Sequence, residues 1–488
     1  EALKAQGVTD FVCATDIPGE NVCSPVGENY PFFAVEEVGY FGQPIGIIVA
    51  DSLRHAEAAA KLVKVTYDTE GKKPVLSTEV AKEDKEFHFD VVNKLESGDI
   101  NEKLDAAPKK LSGKVYLGSQ KHFYMEPQVC DVRVDEDGCY VVQSAGKYPH
   151  GSHVAISKAL GLPQNKIRLI CRRAGGGFGG KLTHNILVAC ITAVASYKTQ
   201  SRVRVALNRN VDMRLAGGRE ETTVHYEVGY SDNGRISALK MNADLASGIY
   251  KDLSFFCNMA LANSFSQVYD LPSFHIESKL YKTNQAPRTA VRGPSEISSS
   301  WCMETIIEHV AHATGVPVDR VREINFINEE EAKAGKKLPN GAEMSDFTIP
   351  KLFKQISESV NEAELAKAVE EFNNANRWKK RGLAKIPIRY EVSVSARSSL
   401  VNVYADGSIT VHHGTSDIGQ GANVKVIQAV SQRLGTTLFN PNCPVDIGSI
   451  RCGELDSSVL PNCTFTGGST SSESSCEAAQ DACDTLID

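Results

Sequence analysis

Two distant stretches of this chain follow the same local pattern, and that repetition constrains the fold more than any other feature. Val132-Arg133-Val134, the turn Asp135-Glu136-Asp137-Gly138 and Cys139–Val142 read as a hairpin; Val401-Asn402-Val403, Asp406-Gly407 and Ile409-Thr410-Val411 read as another. Each hairpin leads into a helical segment that reaches a Leu-Gly pair. Ala155-Ile156-Ser157 runs to Leu160-Gly161, and Ala429-Val430-Ser431 runs to Leu434-Gly435. A glycine in that position is expected to cap the helix C-terminus. Two halves of one design are the expectation, with a chance match of turns and caps as the alternative.

Each half also brings a glycine-rich loop. Ile167-Arg168-Leu169-Ile170 reads as a strand that delivers the chain to Gly175-Gly176-Gly177-Phe178-Gly179-Gly180-Lys181, and an apolar helix, His184–Tyr197, leaves it. Strand, glycine loop and helix form an anion-binding geometry, because the helix start offers free N–H groups and about half a positive charge. Glycine disfavours regular structure by about 0.5–1 kcal/mol relative to alanine, so five in seven residues point to positive φ or close approach to a ligand. Two generic motifs do not fit. A P-loop needs Ser or Thr after its lysine, where this chain has Leu182, with Thr183 one place late. A dinucleotide fingerprint would put the Phe178 ring where pyrophosphate needs open backbone. A phenylalanine between glycines suits a flat apolar surface held against a ligand.

A second loop, Thr415-Ser416-Asp417-Ile418-Gly419-Gln420-Gly421, precedes the helix Ala422–Leu434. Gln420 both donates and accepts, which suits a heterocycle or an oxo group; the bland reading is a helix start capped by Asp417. A third, Thr466-Gly467-Gly468-Ser469-Thr470-Ser471-Ser472, opens another helix. Three such loops drawn together would surround one large anionic ligand.

The remaining segments read as scaffold. Near the start, Ile45–Ala50, a helix carrying Leu53, Ala56 and Ala60, and Val63–Tyr67 predict a strand, helix, strand module. Residues 68–110 turn polar and lysine-rich and lead toward a new domain near Leu111. Residues 202–246 read as a meander, and Trp301–Ala313 and Glu362–Ala375 as helices.

A net charge of −7 and a pI near 6.0 give no global attraction to nucleic acid. No run reaches membrane-spanning length; the longest, Ile186–Ala195, suits a buried helix. Thirteen scattered cysteines with no Cys-x-x-Cys pair match neither a zinc ribbon nor an iron–sulfur ligand run, and suit reduced thiols in a cytoplasmic protein. His309 and His312, with Glu304 and Glu308, lack the zincin order and read as a solvated helix face; His150 with His153 and His412 with His413 read likewise. No Gly-x-Ser-x-Gly elbow is present.

Taken in order, Gly118-Ser119-Gln120-Lys121-His122-Phe123-Tyr124-Met125-Glu126, the loop 175–181, Val291-Arg292-Gly293-Pro294 and Gly419-Gln420-Gly421 resemble the molybdenum hydroxylases, the xanthine dehydrogenase and aldehyde oxidase family. The resemblance covers nearly the whole chain. It implies a mixed α+β and α/β architecture: a small α/β hammerhead domain over residues 1–110, then two related molybdopterin-binding α+β domains over 111–360 and 361–488, with truncation at both ends of the chain. It implies molybdenum carried by molybdopterin and not by protein side chains. Gln120 would hydrogen-bond an oxo ligand, Phe178 with Gly179 would face the metal, Arg292 would line it, and Ile418, Gly419 and Gln420 would contact the pterin. Leu460-Pro461-Asn462 and the residues after it resemble the family's later cofactor loop, which puts Gly468, Ser469 and Ser471 on the cofactor, with Gly468 near the metal.

The family's base, a glutamate in a C-terminal loop, matches no segment here. It is expected beyond Asp488, so no catalytic residue is expected within the chain, which should be inactive alone. The 2Fe-2S clusters and FAD of the family are expected on other domains or subunits. The implied partners are a small aldehyde or heterocycle, those redox modules and a second copy in a homodimer, with no nucleic acid and no membrane. Purine-oxidising members carry a glutamate after the loop lysine, an arginine further on and a phenylalanine; Leu182, Ala260 and Pro294 stand in those places. Losing buried polar partners costs a few kcal/mol, so aldehydes are expected in preference to xanthine. Xanthine dehydrogenase is the alternative within the family, and a non-catalytic ligand-binding protein of this fold the alternative outside it.

Overall fold

Both hairpins form. In the computed structural model, which describes residues 1–23, 26, 28–344, 347–438 and 444–488, Val129–Val134 pairs antiparallel with Tyr140–Ser144. Helix Pro149–Leu160 follows, and Ile167–Cys171 returns parallel to Tyr140–Ser144. Downstream, Ser399–Val403 pairs antiparallel with Ile409–His413, helix Ala422–Leu438 follows, and Ile450–Cys452 returns parallel to Ile409–His413. The two units therefore share connectivity down to the parallel return strand. They differ at one cap. Gly161 ends its helix in the left-handed region at φ 64°, just before Pro163, whereas Gly435 lies inside a helix that runs on to Leu438. The sequence after Gly435 has no proline close enough to stop the helix, so the expected cap is not used.

The first unit belongs to a five-stranded sheet ordered Leu455–Asp456, Ile167–Cys171, Tyr140–Ser144, Val129–Val134, Val203–Ala206. Helix His184–Thr199 packs on it, buried without interruption from His184 to Ser196, which is why its sequence is apolar all round. Val12, Phe32, Phe33 and Val49 of the N-terminal module join the same core, as do Leu455, Leu460 and Cys463 from near the other end of the chain. A second five-stranded sheet runs His88–Ser97, Phe274–Tyr281, Ile236–Ala246, Glu221–Tyr230, Lys109–Leu117, and helices Ser254–Ser264 and Glu296–Thr314 pack with it in one core. The architecture is mixed α+β.

Several segments depart from the sequence reading. Residues 68–110 are not a mere polar lead-in. His88–Ser97 is an edge strand whose residues alternate exposed and half-buried, and helix Ile100–Ala106 is capped by the Asp99 carboxylate. Polar, lysine-bearing outer faces are how edge strands avoid pairing with other chains, and they imitate linker composition. Val63–Tyr67 forms no strand and lies exposed; Gly46–Ala50 pairs instead with Val8–Cys13 in the opening segment. Residues 202–246 divide between the two large sheets, so they are no continuous meander. The helix expected at Trp301 starts at Glu296, and Glu362–Ala375 is helical as read. Among the described residues no helix is long and apolar enough to cross a membrane.

Candidate functional site

The three glycine loops meet. Arg173 and Asp417 form a parallel bridge, and the Ala174 N–H donates to the Asp417 carbonyl at 2.9 Å, which lays the first loop beside the second. The Ser416 N–H donates to Thr466 Oγ1 at 2.9 Å, and the Thr415 and Ser475 hydroxyls bond at 2.6 Å, which joins the second to the third. Lys147 closes the circle: its N–H donates to the Lys181 carbonyl at 3.0 Å and its carbonyl accepts from Thr466 N–H at 2.8 Å. Helices His184–Thr199, Ala422–Leu438 and Ser471–Ile487 start at these loops, so three N-termini with free N–H groups are gathered in one place.

Loop 175–181 is glycine-rich for steric reasons. Gly179 has φ 117°, and a Cβ there would stand 1.6 Å from the Ala290 carbonyl oxygen; a Cβ on Gly175 would stand 2.6 Å from that of Glu126. Phe178 itself is left-handed at φ 47°, an outlier for a bulky side chain, and the residue is 42% exposed. Its carbonyl accepts the Arg292 N–H at 2.9 Å, tying in Val291-Arg292-Gly293-Pro294. Of nine non-glycine residues with positive φ among those described, Phe123, Phe178, Ser295, Asn462 and Ser469 lie in or beside these segments. Such clustering is characteristic of functional sites, where surrounding structure holds the strain.

Arg219 organises the opposite wall. Its guanidinium donates from two nitrogens to Gln120 Oε1, both at 3.1 Å, and to the carbonyls of Arg292 and Gly293, both at 2.9 Å. Gln120 is thereby held by its oxygen, with its NH₂ left to donate outward. Gly217 and Gly218 permit this approach, since Cβ atoms there would stand 1.8 Å from the Pro287 oxygen and 2.4 Å from the Gln120 oxygen. The sequence reading missed Arg219; the Gly217-Gly218-Arg219 run was the available signal. His122 and His184 donate from Nε2 to the carbonyls of Ala290 and Pro287, each at 3.1 Å. Burial holds their pKa values down to about 3 and about 4, so both are neutral props for residues 287–290.

The side chain of Gln420 is committed within its own loop: Oε1 accepts the Ile418 N–H at 2.7 Å and Nε2 donates to the Ser416 carbonyl at 3.1 Å. Gln420 thus shapes the segment in which Ile418 is half-buried and Gly419 exposed. Gly468 and Ser469 are exposed at left-handed φ, whereas the buried Ser471 hydroxyl accepts from the Gly467 N–H and from Arg397, each at 3.2 Å.

Lys181 is fully buried and bonds Glu126 Oε2 at 2.5 Å, an oxygen that also accepts the Gly175 N–H at 2.8 Å. It locks the two ends of its loop together, which accounts for a P-loop-like lysine without nucleotide chemistry. Lys147, 5% exposed, has no side-chain hydrogen bond or ion pair among the described residues, and Ser416 Oγ and Arg397 Nε are buried without partners. Unspent cations and donors between glycine loops fit an anionic, oxygen-rich group such as molybdopterin.

At the three positions that the sequence reading assigns to substrate, Leu182, Ala260 and Pro294, no charged side chain stands. Leu182 is 4% exposed and packs by Gly467, its Cδ1 3.5 Å from a Cβ built there. Ala260 lies half-buried on helix Ser254–Ser264, which the Ser264 and Ser299 hydroxyls join at 2.8 Å to the helix that Pro294 precedes. The nearby Glu296 has a buried Oε2 without a partner, and burial pushes its pKa up.

The histidine pairs are not grouped as ligands: among the described residues no three His, Cys, Asp or Glu come together to hold a metal. His309 bonds the Tyr226 hydroxyl at 2.5 Å. Glu304 is buried, not solvated as read, and pairs with Arg322 at 2.8 Å, with Glu308 at 3.4 Å from the same guanidinium.

Comparison with known proteins agrees with this geometry. Residues 1–71 match the aldehyde oxidase and xanthine dehydrogenase a/b hammerhead domain, and residues 82–326 and 355–488 match the molybdopterin cofactor-binding domain. An indole-3-acetaldehyde oxidase of Arabidopsis thaliana is 37% identical over 99% of this chain and 36% of its own length. The abscisic-aldehyde oxidase of the same plant is 36% identical over 100% of the chain and 37% of its length. The chain thus spans little more than a third of these relatives. The aldehyde oxidoreductases of Desulfovibrio gigas and Desulfovibrio desulfuricans share the fold with TM-scores of 0.84 and 0.85, at 22% and 21% identity, over 99% and 100% of this chain and 54% of each of theirs. With its loops gathered as a cradle for such a cofactor and its sequence matched from end to end, the chain belongs to the molybdopterin-binding family of molybdenum hydroxylases, on its aldehyde oxidase side.

Proposed function

We propose that this chain is the cofactor-holding portion of an aldehyde-oxidising molybdenum hydroxylase, which passes electrons to iron–sulfur and flavin modules and works as a cytoplasmic homodimer. The observation that carries the reading is the meeting of three helix-initiating glycine loops beside the Gln120 amide and the Phe178 ring. When bound, molybdopterin supplies a molybdenum centre able to place water-derived oxygen on a carbon and to accept two electrons. Gln120, fixed by Arg219, donates its NH₂ toward that centre. Phe178 and Gly179 wall it off, and Arg292, exposed and without a side-chain partner among the described residues, lines the approach. Ile418, Gly419 and Gln420 form the pterin wall, and Gly468, Ser469 and Ser471 hold the cofactor at the start of helix Ser471–Ile487, with Gly468 near the metal. The proton-abstracting base is supplied by polypeptide outside this third of the enzyme.

Leu182, Ala260 and Pro294 offer no polar partner to a purine. A buried polar group left unpaired costs about 1–3 kcal/mol, so several together exclude xanthine while leaving an apolar aldehyde unaffected. Turnover by the full-length enzyme tests this: kcat/KM for an aromatic aldehyde should exceed that for xanthine by orders of magnitude. The reverse ratio would make the protein a xanthine dehydrogenase. Turnover of neither, with pterin bound, would support a non-catalytic role.

A further inference from the structure

The other buried cations all have acceptors: Lys181 meets Glu126 and Arg322 meets Glu304 and Asp319, while Arg219 and Arg288 donate to side-chain and backbone oxygens. Lys147 alone among them has no such partner among the described residues. Its side chain is enclosed where the loops meet: Cδ is 3.9 Å, and the side chain of Ile418 is 3.8 Å, from the point a Cβ on Gly177 would occupy. Burial alone pushes its amine down to about 8, with no carboxylate contributing. Its backbone N–H and carbonyl are held by Lys181 and Thr466, so the base of the side chain is fixed at the junction by the loops themselves.

Arg397 reaches the same junction from the other side. Its Nη2 donates to the Phe465 carbonyl at 2.9 Å and to Ser471 Oγ at 3.2 Å, while Nε is buried without an acceptor. The Phe465–Thr466 peptide is therefore gripped at both ends, its carbonyl by Arg397 and its N–H by Lys147. Arg397 has no ion-pair partner among the described residues either. Ser416 Oγ, in the second loop, is buried and unpartnered. An unpaired ammonium on a buried side chain, a guanidinium with a free N–H, a free hydroxyl and a helix N-terminus make a complementary set for a tetrahedral oxyanion.

We propose that Lys147 and Arg397 form a phosphate subsite at the junction of the three loops, occupied in the working enzyme by the phosphate of the bound cofactor. This rests on the molybdopterin reading above and adds the residues that neutralise the phosphate. A buried lysine held for structure alone would stabilise the empty protein; one held for a ligand destabilises it until the ligand arrives.

The test uses full-length protein from a molybdopterin-producing host and from one that makes none, as wild type, Lys147→Met and Lys147→Arg. Lys147→Met should lower pterin per protein, read by fluorescence of the oxidised cofactor, by about tenfold or more. Lys147→Arg should retain most of it. In the cofactor-free protein, Lys147→Met should melt at the same temperature as wild type or higher, and inorganic phosphate should raise the melting temperature of wild type but not of Lys147→Met. Wild-type pterin content in Lys147→Met overturns the proposal. So does a lowered melting temperature without a phosphate response, which would give Lys147 a protein partner, and so does an equal response in both proteins, which would mean an adventitious ion only. Wild type without pterin but with a Lys147-dependent phosphate response would defeat the molybdopterin reading and leave the oxyanion site standing.

Discussion

Gly179→Ala should be the most damaging small substitution in the site, and the structure allows its cost to be divided. At φ 117° an alanine carries backbone strain of about 1–3 kcal/mol. Its Cβ would also stand 1.6 Å from the Ala290 carbonyl oxygen, a backbone atom that no rotamer change can move away. Overpacking of this kind costs about 1–3 kcal/mol once the surroundings shift. The sum is about 2–6 kcal/mol, with the 287–292 segment pushed off the loop. Two companions separate the terms. Gly419→Ala has φ 101° with nothing within 4 Å and should show strain alone, whereas Gly175→Ala meets the Glu126 Cβ at 2.6 Å without positive φ and should show crowding alone. Gly407→Ala, in the open Asp-Gly turn at φ 83°, is the surface control. Urea unfolding ranks the four, and hydrogen exchange at the Arg292 amide, which donates to Phe178, reports the local break. If Gly179→Ala costs no more than Gly407→Ala, or leaves Arg292 as protected as in wild type, the close approach described here is wrong.

Further outcomes follow from the same geometry. Arg219→Lys loses the fork that holds Gln120 and two carbonyls at once, so kcat with an aldehyde should fall at least tenfold with little change in KM, and Lys should rescue no better than Gln. Leu182→Glu should create no xanthine turnover, because it places a carboxylate in a site 4% exposed with no cation shown to meet it; the expected effect is a lower melting temperature. In the cofactor-free protein, the folded Lys147 amine at about 8 lies below the ordinary lysine value of 10.5, so the unfolded chain binds the extra proton between those values. Stability should therefore rise as pH climbs from about 8 toward 10.5, by about 3 kcal/mol at 1.4 kcal/mol per pH unit. Lys147→Met should lack that component in pH-dependent denaturant titrations.

The features legible in the sequence are those whose cause is local. Asp137-Gly138 and Asp406-Gly407 dictate turns, strand alternation supplies the flanks, and the repeat follows from them. Glycine loops before helices are local too, and so all three were found. Their meeting is not local, because it depends on single hydrogen bonds such as Ser416 to Thr466 across fifty positions. His88–Ser97 was hidden because an edge strand exposes one face and so resembles a linker in composition. Arg219 and Lys147 were hidden for a related reason. Arginine and lysine belong on surfaces by default, and only the tertiary structure shows one clamping Gln120 and the other enclosed without a counter-ion. Gly435 shows the opposite failure, a local cap signal overridden because nothing after it stops the helix.

The central claim is that the three loops cradle molybdopterin. Its most direct test is elemental analysis for molybdenum together with pterin fluorescence on the purified full-length protein, expressed where the cofactor is made. The account predicts close to one molybdenum and one pterin per polypeptide, both falling together when Gly179→Ala displaces the loop. Folded protein that purifies with neither, from a host whose other molybdenum enzymes are loaded, would contradict it.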